Sequence, residues 1–260
     1  MDFATIRLER IGAVARIVLD RPGQLNACPP EMAVEIADAL SCLGDARALL
    51  ITGEGRAFCA GADIAVMAGS TISHGAASYK GLTEAYNPLI LKLSRLALPV
   101  VTAVNGPAAG IGCSLALAGD FTVAARSSYF LQAFVNIGLV PDGGSSWLLP
   151  RLIGKARAAR MMMLGERISA EQAEDWGLIY KCVEDDALAA EALALAERLA
   201  AGPTVALAGM RQTLARALEC DLATALQAEA EAQHRAGDSA DAAEGLDAFL
   251  ARRKPSFIGK

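Results

Sequence analysis

Two glycine- and alanine-rich segments hold the residues best suited to chemistry: GEGRAFCAGADIAVM (53–67) and VVTAVNGPAAGIGCSLALAGD (100–120). Small side chains let backbone N–H groups approach a ligand closely, and a helix start adds the positive end of a dipole. A helix can begin near Asp63 in the first segment and at Cys113 in the second. Taken singly, each also suits a loop with tight packing. Two other readings of the second segment fail on composition. A dinucleotide turn needs a third glycine where Leu115 stands, and no acidic residue closes a following strand where a ribose would need one. Gly112-Cys113-Ser114-Leu115-Ala116 approaches a hydrolase nucleophile elbow, except that Ala116 replaces the last glycine. The downstream histidine such chemistry needs could only be His234, which falls inside the helical run 225–237.

The elements that must position these loops follow from patterning. Thr5–Glu9 and Val14–Leu19 are β-rich and meet at Ile11-Gly12-Ala13, which predicts a hairpin. RPGQLNACPP (21–30) is a turn-rich loop, and Pro30 suits the first turn of a helix to about Leu43. Ala48–Thr52 and Pro99–Val104 read as buried strands, each feeding one glycine-rich loop, with a helix from Ser78 to Arg95 between them. Cys113–Ala118 reads as helix, and Phe121–Ala124 and Tyr129–Gln132 as strands. From Trp147 onward the spacing predicts an almost entirely helical chain. Its segments 169–176, 185–201, 203–218, 221–236 and 239–252 are set off by Gly, Pro or capping residues such as Ser169 and Ser239. The expected fold class is α/β, with a core over 1–200 and a C-terminal helical lobe over 201–260.

Bulk properties exclude several classes. A net charge of -5 over 260 residues offers no general field for nucleic acid. No apolar run is long enough to span a bilayer, and the start MDFATIRLER is not a secretory signal, so a cytoplasmic location is expected. Six scattered cysteines without a Cys-x-x-Cys read as buried free thiols, and no metal site is expected.

Read together, the two loops are more specific. FCAGAD (58–63) followed by NGPAAGIGCSLALAGD (105–120) resembles the signature of the crotonase (enoyl-CoA hydratase/isomerase) superfamily. RPGQLNA (21–27) and SAEQAEDWGLI (169–179) resemble its N-terminal turn and a later helix. The resemblance implies a crotonase-like (ClpP/crotonase) ββα superhelical spiral whose C-terminal helices drive a homotrimer or a dimer of trimers. It also implies an acyl-CoA thioester as substrate, with coenzyme A as its handle and no separate cofactor. One N–H from each loop would grip the thioester carbonyl, by position those of Ala62 and Ile111. Donors placed there would stabilise the enolate formed when a neighbouring proton leaves. Leu25, Ala60, Gly61, Asp63, Ile64, Gly110 and Phe134 would lie at the CoA-ester site, and Lys254 would reach the CoA phosphates from the basic tail Arg252–Lys254, in its own or a neighbouring subunit.

Hydratases of that superfamily carry two glutamates that handle water; by position they fall at Ser114 and Phe134, so a carboxylate pair is missing. Its isomerases have an aspartate where Asp142 stands, and LVPDGGSSWLLPRL (139–152) looks most like the phenylacetate-pathway ring-isomerase type. One carboxylate suffices for an allylic shift, and the apolar neighbours Phe134, Leu139 and Val140 would raise its pKa. The local alternative has Asp142 cap the helix entering at Trp147 or form an Asx-turn with Gly143-Gly144. Asp63 reads as a helix-start residue, Asp120 as a backbone fixer, and His74 and His234 as surface or packing residues. A CoA-thioester isomerase is the leading expectation. A hydratase, a non-catalytic acyl-CoA-binding protein and a serine hydrolase are the alternatives.

Overall fold

The computed structural model describes residues 2–63 and 73–260. Chain order gives strands β1 (Ile6–Ile11), β2 (Val14–Leu19), β3 (Ala48–Gly53), β4 (Val100–Val104), β5 (Ala108–Ala109), β6 (Phe121–Ala125), β7 (Tyr129–Leu131), β8 (Ile168–Ser169) and β9 (Lys181–Val183). The helices are α1 (Pro30–Ala39), α2 (His74–Gly81), α3 (Asn87–Ser94), α4 (Ile111–Leu117), α5 (Ser145–Leu164), α6 (Ala170–Asp175), α7 (Leu188–Ala200), α8 (Thr204–Ala217), α9 (Leu222–Gly237) and α10 (Ala240–Leu250).

The larger sheet runs β1-β2-β3-β4-β6-β9, antiparallel only at the β1–β2 hairpin; the smaller one runs β5-β7-β8. Two successive strand–strand–helix units, β4–β5–α4 and β6–β7–α5, send one strand to each sheet. Period-two alternation sorts the larger sheet's side chains. Leu49 and Ile51 join the main core with Met32, Ile36, Phe58 and Phe130. Ala48, Leu50, Val101, Ala103 and Val123 face the other way, onto α7. That helix presents Leu188, Ala192, Ala196 and Ala200 at four-residue spacing, small enough for a close approach to the sheet.

Several boundaries differ from the pattern. The region beyond Trp147 is not wholly helical, since β8 and β9 complete the two sheets. At two and three residues they are too short to show an alternation, and their pairing with β7 and β6 defines them. The loop after β4 likewise contains β5, α4 starts at Ile111, and α5 starts at Ser145. The expected 78–95 helix begins at His74 and is broken by a π-turn, Leu82–Tyr86, just before Pro88. Proline has no N–H for the usual i→i−4 bond, and the Asn87 N–H reaches Leu82 O instead. Of the cysteines, Cys28, Cys59 and Cys113 are buried, whereas Cys42 is exposed.

The C-terminal helices are tied down by charge. Buried Arg211 on α8 donates to both Asp120 carboxylate oxygens at 2.7 Å, and Asp120 also accepts the Val100 N–H at 2.7 Å. Asp120 therefore does fix backbone, with an ion pair added. The last residues fold back, with the Ile258 and Gly259 N–H groups on Asp241 and the Phe257 carbonyl on Arg47.

Candidate active site

The first glycine-rich loop leaves β3 and is held by two asparagines. Fully buried Asn26 donates to the Glu54 and Ala57 carbonyls at 2.9 and 2.8 Å. Asn105 donates to Gly55 O at 2.8 Å. The second loop is zipped to the first: Cys59 N–H donates to Pro107 O at 3.1 Å, and Ala109 N–H to Cys59 O at 2.9 Å. Gly112 must lack a side chain, because a Cβ would run into Cys59 O. Gly61 (φ +115) and Gly110 (φ +53) turn the two chains at the point of contact, where a Cβ on Gly110 would lie 3.7 Å from the Gly61 Cα. The two residues that follow, Ala62 and Ile111, are thereby brought side by side. Neither N–H has an acceptor among the described residues, and Ile111 is the first residue of α4. Two free N–H groups beside a helix start suit an oxyanion.

Both residues line a cavity of about 220 Å³. Its walls are largely apolar: Leu82 and Tyr86 from the π-turn, and Phe134, Ile137, Leu139 and Val140 from the segment before Asp142. The Tyr86 hydroxyl is committed to Cys28 O at 2.7 Å. Asp142 projects into this space. Its Oδ1 is buried with no hydrogen-bond partner, and burial pushes its carboxyl up to about 6. Its side chain caps nothing, because α5 has Gly144 at its N-cap position without a side-chain bond. The capping and Asx-turn readings are thus replaced by an unpartnered carboxylate. Asp63 also lines the cavity but is paired with Arg21 at 2.9 Å.

The other expected residues divide clearly. Ala60, Gly61, Gly110 and Phe134 line the cavity with Ala62, Ile111 and Asp142. Leu25 does not line it; its carbonyl accepts the Ala60 N–H at 3.0 Å and so supports the wall. Lys254 is exposed on the tail and is not brought to the cavity of its own chain, because the following residues are pinned to α10 and to Arg47. Ile64, and the helix expected to start near Asp63, fall in 64–72, outside the described residues. The hydrolase reading fails on geometry. Ser114 bonds Gly110 O, Asp142 O and Ser145 Oγ, while His234 is exposed near Asp238. Sequence reasoning missed the asparagine braces, the π-turn and the buried Gln132–Ser145–Ser114 chain; Pro88 was a signal for the π-turn.

A family model described as enoyl-CoA hydratase/isomerase matches residues 9–260. The chain belongs to the enoyl-CoA hydratase/isomerase family. Within it, the chain is 43% identical over its full length, and that of the relative, to 1,2-epoxyphenylacetyl-CoA isomerase of Escherichia coli. It is equally 43% identical, again over both full lengths, to a Rhodobacter capsulatus protein named "Probable enoyl-CoA hydratase". A solved structure of an enoyl-CoA hydratase subunit from Geobacillus kaustophilus superposes with a TM-score of 0.92 at 35% identity, covering 100% of both chains. Enoyl-CoA hydratase/isomerase members thus share this α/β crotonase fold with its helical C-terminal region, as the two loops led us to expect. They are named for both hydration and isomerisation, so the family alone leaves the reaction open.

Proposed function

We propose that this chain is an acyl-CoA isomerase that moves one proton along a bound enoyl or ring-derived acyl group. The observation that carries the reading is Asp142: an unpartnered carboxylate in an apolar cavity whose other acid, Asp63, is taken by Arg21. In the reaction, the Asp142 carboxylate takes a proton from the carbon next to the thioester of a 3-enoyl group. The electron pair delocalises onto the thioester oxygen, where the Ala62 and Ile111 N–H groups stabilise it. The carboxyl then returns the proton to the fourth carbon, and the double bond has moved to the 2,3 position. A base near 6 is suited to both taking and returning the proton at neutral pH.

The name of the Escherichia coli relative supports a ring-derived acyl group, and the small apolar cavity supports a compact one. Coenzyme A enters as part of the substrate, no separate cofactor takes part, and the protein works as a trimer or a dimer of trimers in the cytoplasm. Hydration would need a second free carboxylate, and by the family resemblance Ser114 and Phe134 fall where hydratases carry theirs. The test is Asp142→Asn on straight-chain and aromatic-derived CoA esters. Formation of the conjugated enoyl chromophore from a 3-enoyl-CoA should fall by at least about 100-fold, with CoA-ester binding largely kept. Full turnover by the variant, or ready hydration of crotonyl-CoA by the unaltered enzyme, would overturn the reading.

A further inference from the structure

Beneath the Asp142 loop lies a chain of buried polar groups that the proton transfer does not use. Gln132, Ser114 and Ser145 are 0%, 2% and 2% exposed. Gln132 Nε2 donates to Ser145 Oγ at 3.0 Å, Ser145 and Ser114 hydroxyls meet at 2.7 Å, and Ser114 Oγ donates to the Asp142 carbonyl at 3.0 Å. One direction satisfies all three bonds. The Gln132 amide occupies a Ser145 lone pair, the Ser145 proton goes to Ser114, and the Ser114 proton goes to Asp142 O. Aligned donors of this kind strengthen one another in a low-dielectric interior. The same carbonyl accepts the Ser145 N–H at 3.1 Å.

This chain ends on the 138–144 segment, whose start is held by the Gly138 and Leu139 N–H groups on Val135 O and Phe134 O. Gly138, Gly143 and Gly144 all have positive φ, and Leu139 and Val140 are exposed. The contact side of the loop is closed as well, since a Cβ on Gly143 would overlap Ile111 Cδ1 and Ser114 Cβ. Ser114 therefore sits on the helix that begins at Ile111 and touches the loop that bears Asp142.

We propose that Ser114, backed by Ser145 and Gln132, is a positioning residue: its hydroxyl clamps the Asp142 peptide so that the carboxylate stays desolvated and aimed at the acyl group. The proposal rests on the isomerase reading for its kinetic part alone. Among the described residues, few other titratable groups stand near Asp142. Tyr86 and the Asp63–Arg21 pair face it across the cavity, and the Asp120–Arg211 pair lies behind Ser114.

The test compares full-length Ser114→Ala, Ser145→Ala and unaltered protein. Ser114→Ala leaves the Asp142 carbonyl its Ser145 N–H bond, so the fold is expected to survive. Turnover of a 3-enoyl-CoA should fall by about 10- to 100-fold, with KM changed less than about threefold. Ser145→Ala should do the same more weakly. Carbon-13 NMR of labelled aspartate should show the Asp142 titration midpoint moving down from near 6, and amide exchange over 138–144 should quicken. Loss of packing alone would leave that midpoint in place. A folded Ser114→Ala protein with unchanged kcat, midpoint and exchange overturns the proposal. If Ser114→Ala does not fold, Ser145→Ala decides by the same three readouts. If the unaltered enzyme turns over no enoyl-CoA, the isomerase reading fails, while titration and exchange still judge the clamp.

Discussion

At Asp142 the folded protein holds a proton up to about pH 6, whereas the unfolded chain releases it near 4. Between those values the folded state binds more protons, so the contribution to stability is greatest at low pH and is lost as pH rises through 6. From pH 8 to pH 4 the unaltered protein should therefore gain about 2 kcal/mol relative to Asp142→Asn, which carries no such charge. Urea unfolding at the two pH values measures this, and a difference independent of pH would contradict it. On the proposed role of Asp142 as the base, kcat should decline below about pH 6 as the carboxylate is protonated. Asp142 was legible in the sequence through the family resemblance alone, since its place before Gly143-Gly144 by itself suits an Asx-turn. The Ser114–Ser145 contact was not legible, since 31 residues separate two unremarkable serines and the fold alone brings them together.

Among the elements, α7 shows how composition becomes packing. Its alanines meet the larger sheet at Leu50, Val101 and Val123, and the closeness depends on there being nothing larger at Ala192 and Ala196. Ala196→Leu is expected to cost about 1–3 kcal/mol by overpacking, read as a shift in the urea midpoint. The alanine run predicted a helix at nearly these bounds, and the long strands β2, β3 and β4 were equally plain from their apolar runs. Strands β8 and β9 escaped notice because edge pairing, rather than a local pattern, makes them strands. The π-turn has a local cause in Pro88, but its use is tertiary: it turns Leu82 and Tyr86 toward the acyl cavity.

For the whole molecule, the Asp120–Arg211 pair matters most, since it joins the starts of β4 and β6 to helix α8. Burial already raises the Asp120 pKa against the pull of Arg211. Arg211→Ala should leave that acid uncompensated, cost roughly 3–5 kcal/mol, and open α8 to limited proteolysis. Leu214 on α8, Leu218 just after it, and Leu222 and Leu226 on α9 stand exposed, and assembly into trimers would cover surface of this kind. Light scattering should then give a trimer or hexamer mass. The pairing of Gly61 with Gly110 has a consequence for the life of the protein. Residues 62, 111 and 142 belong to different turns of the chain, so a half-folded molecule owns none of the cavity. On the proposed function, acyl-CoA can bind only the finished fold, stabilising it by about 2.7 kcal/mol at a hundredfold excess over Kd. Starved of that ligand, the protein should be degraded faster, and its abundance should follow the supply of what it consumes.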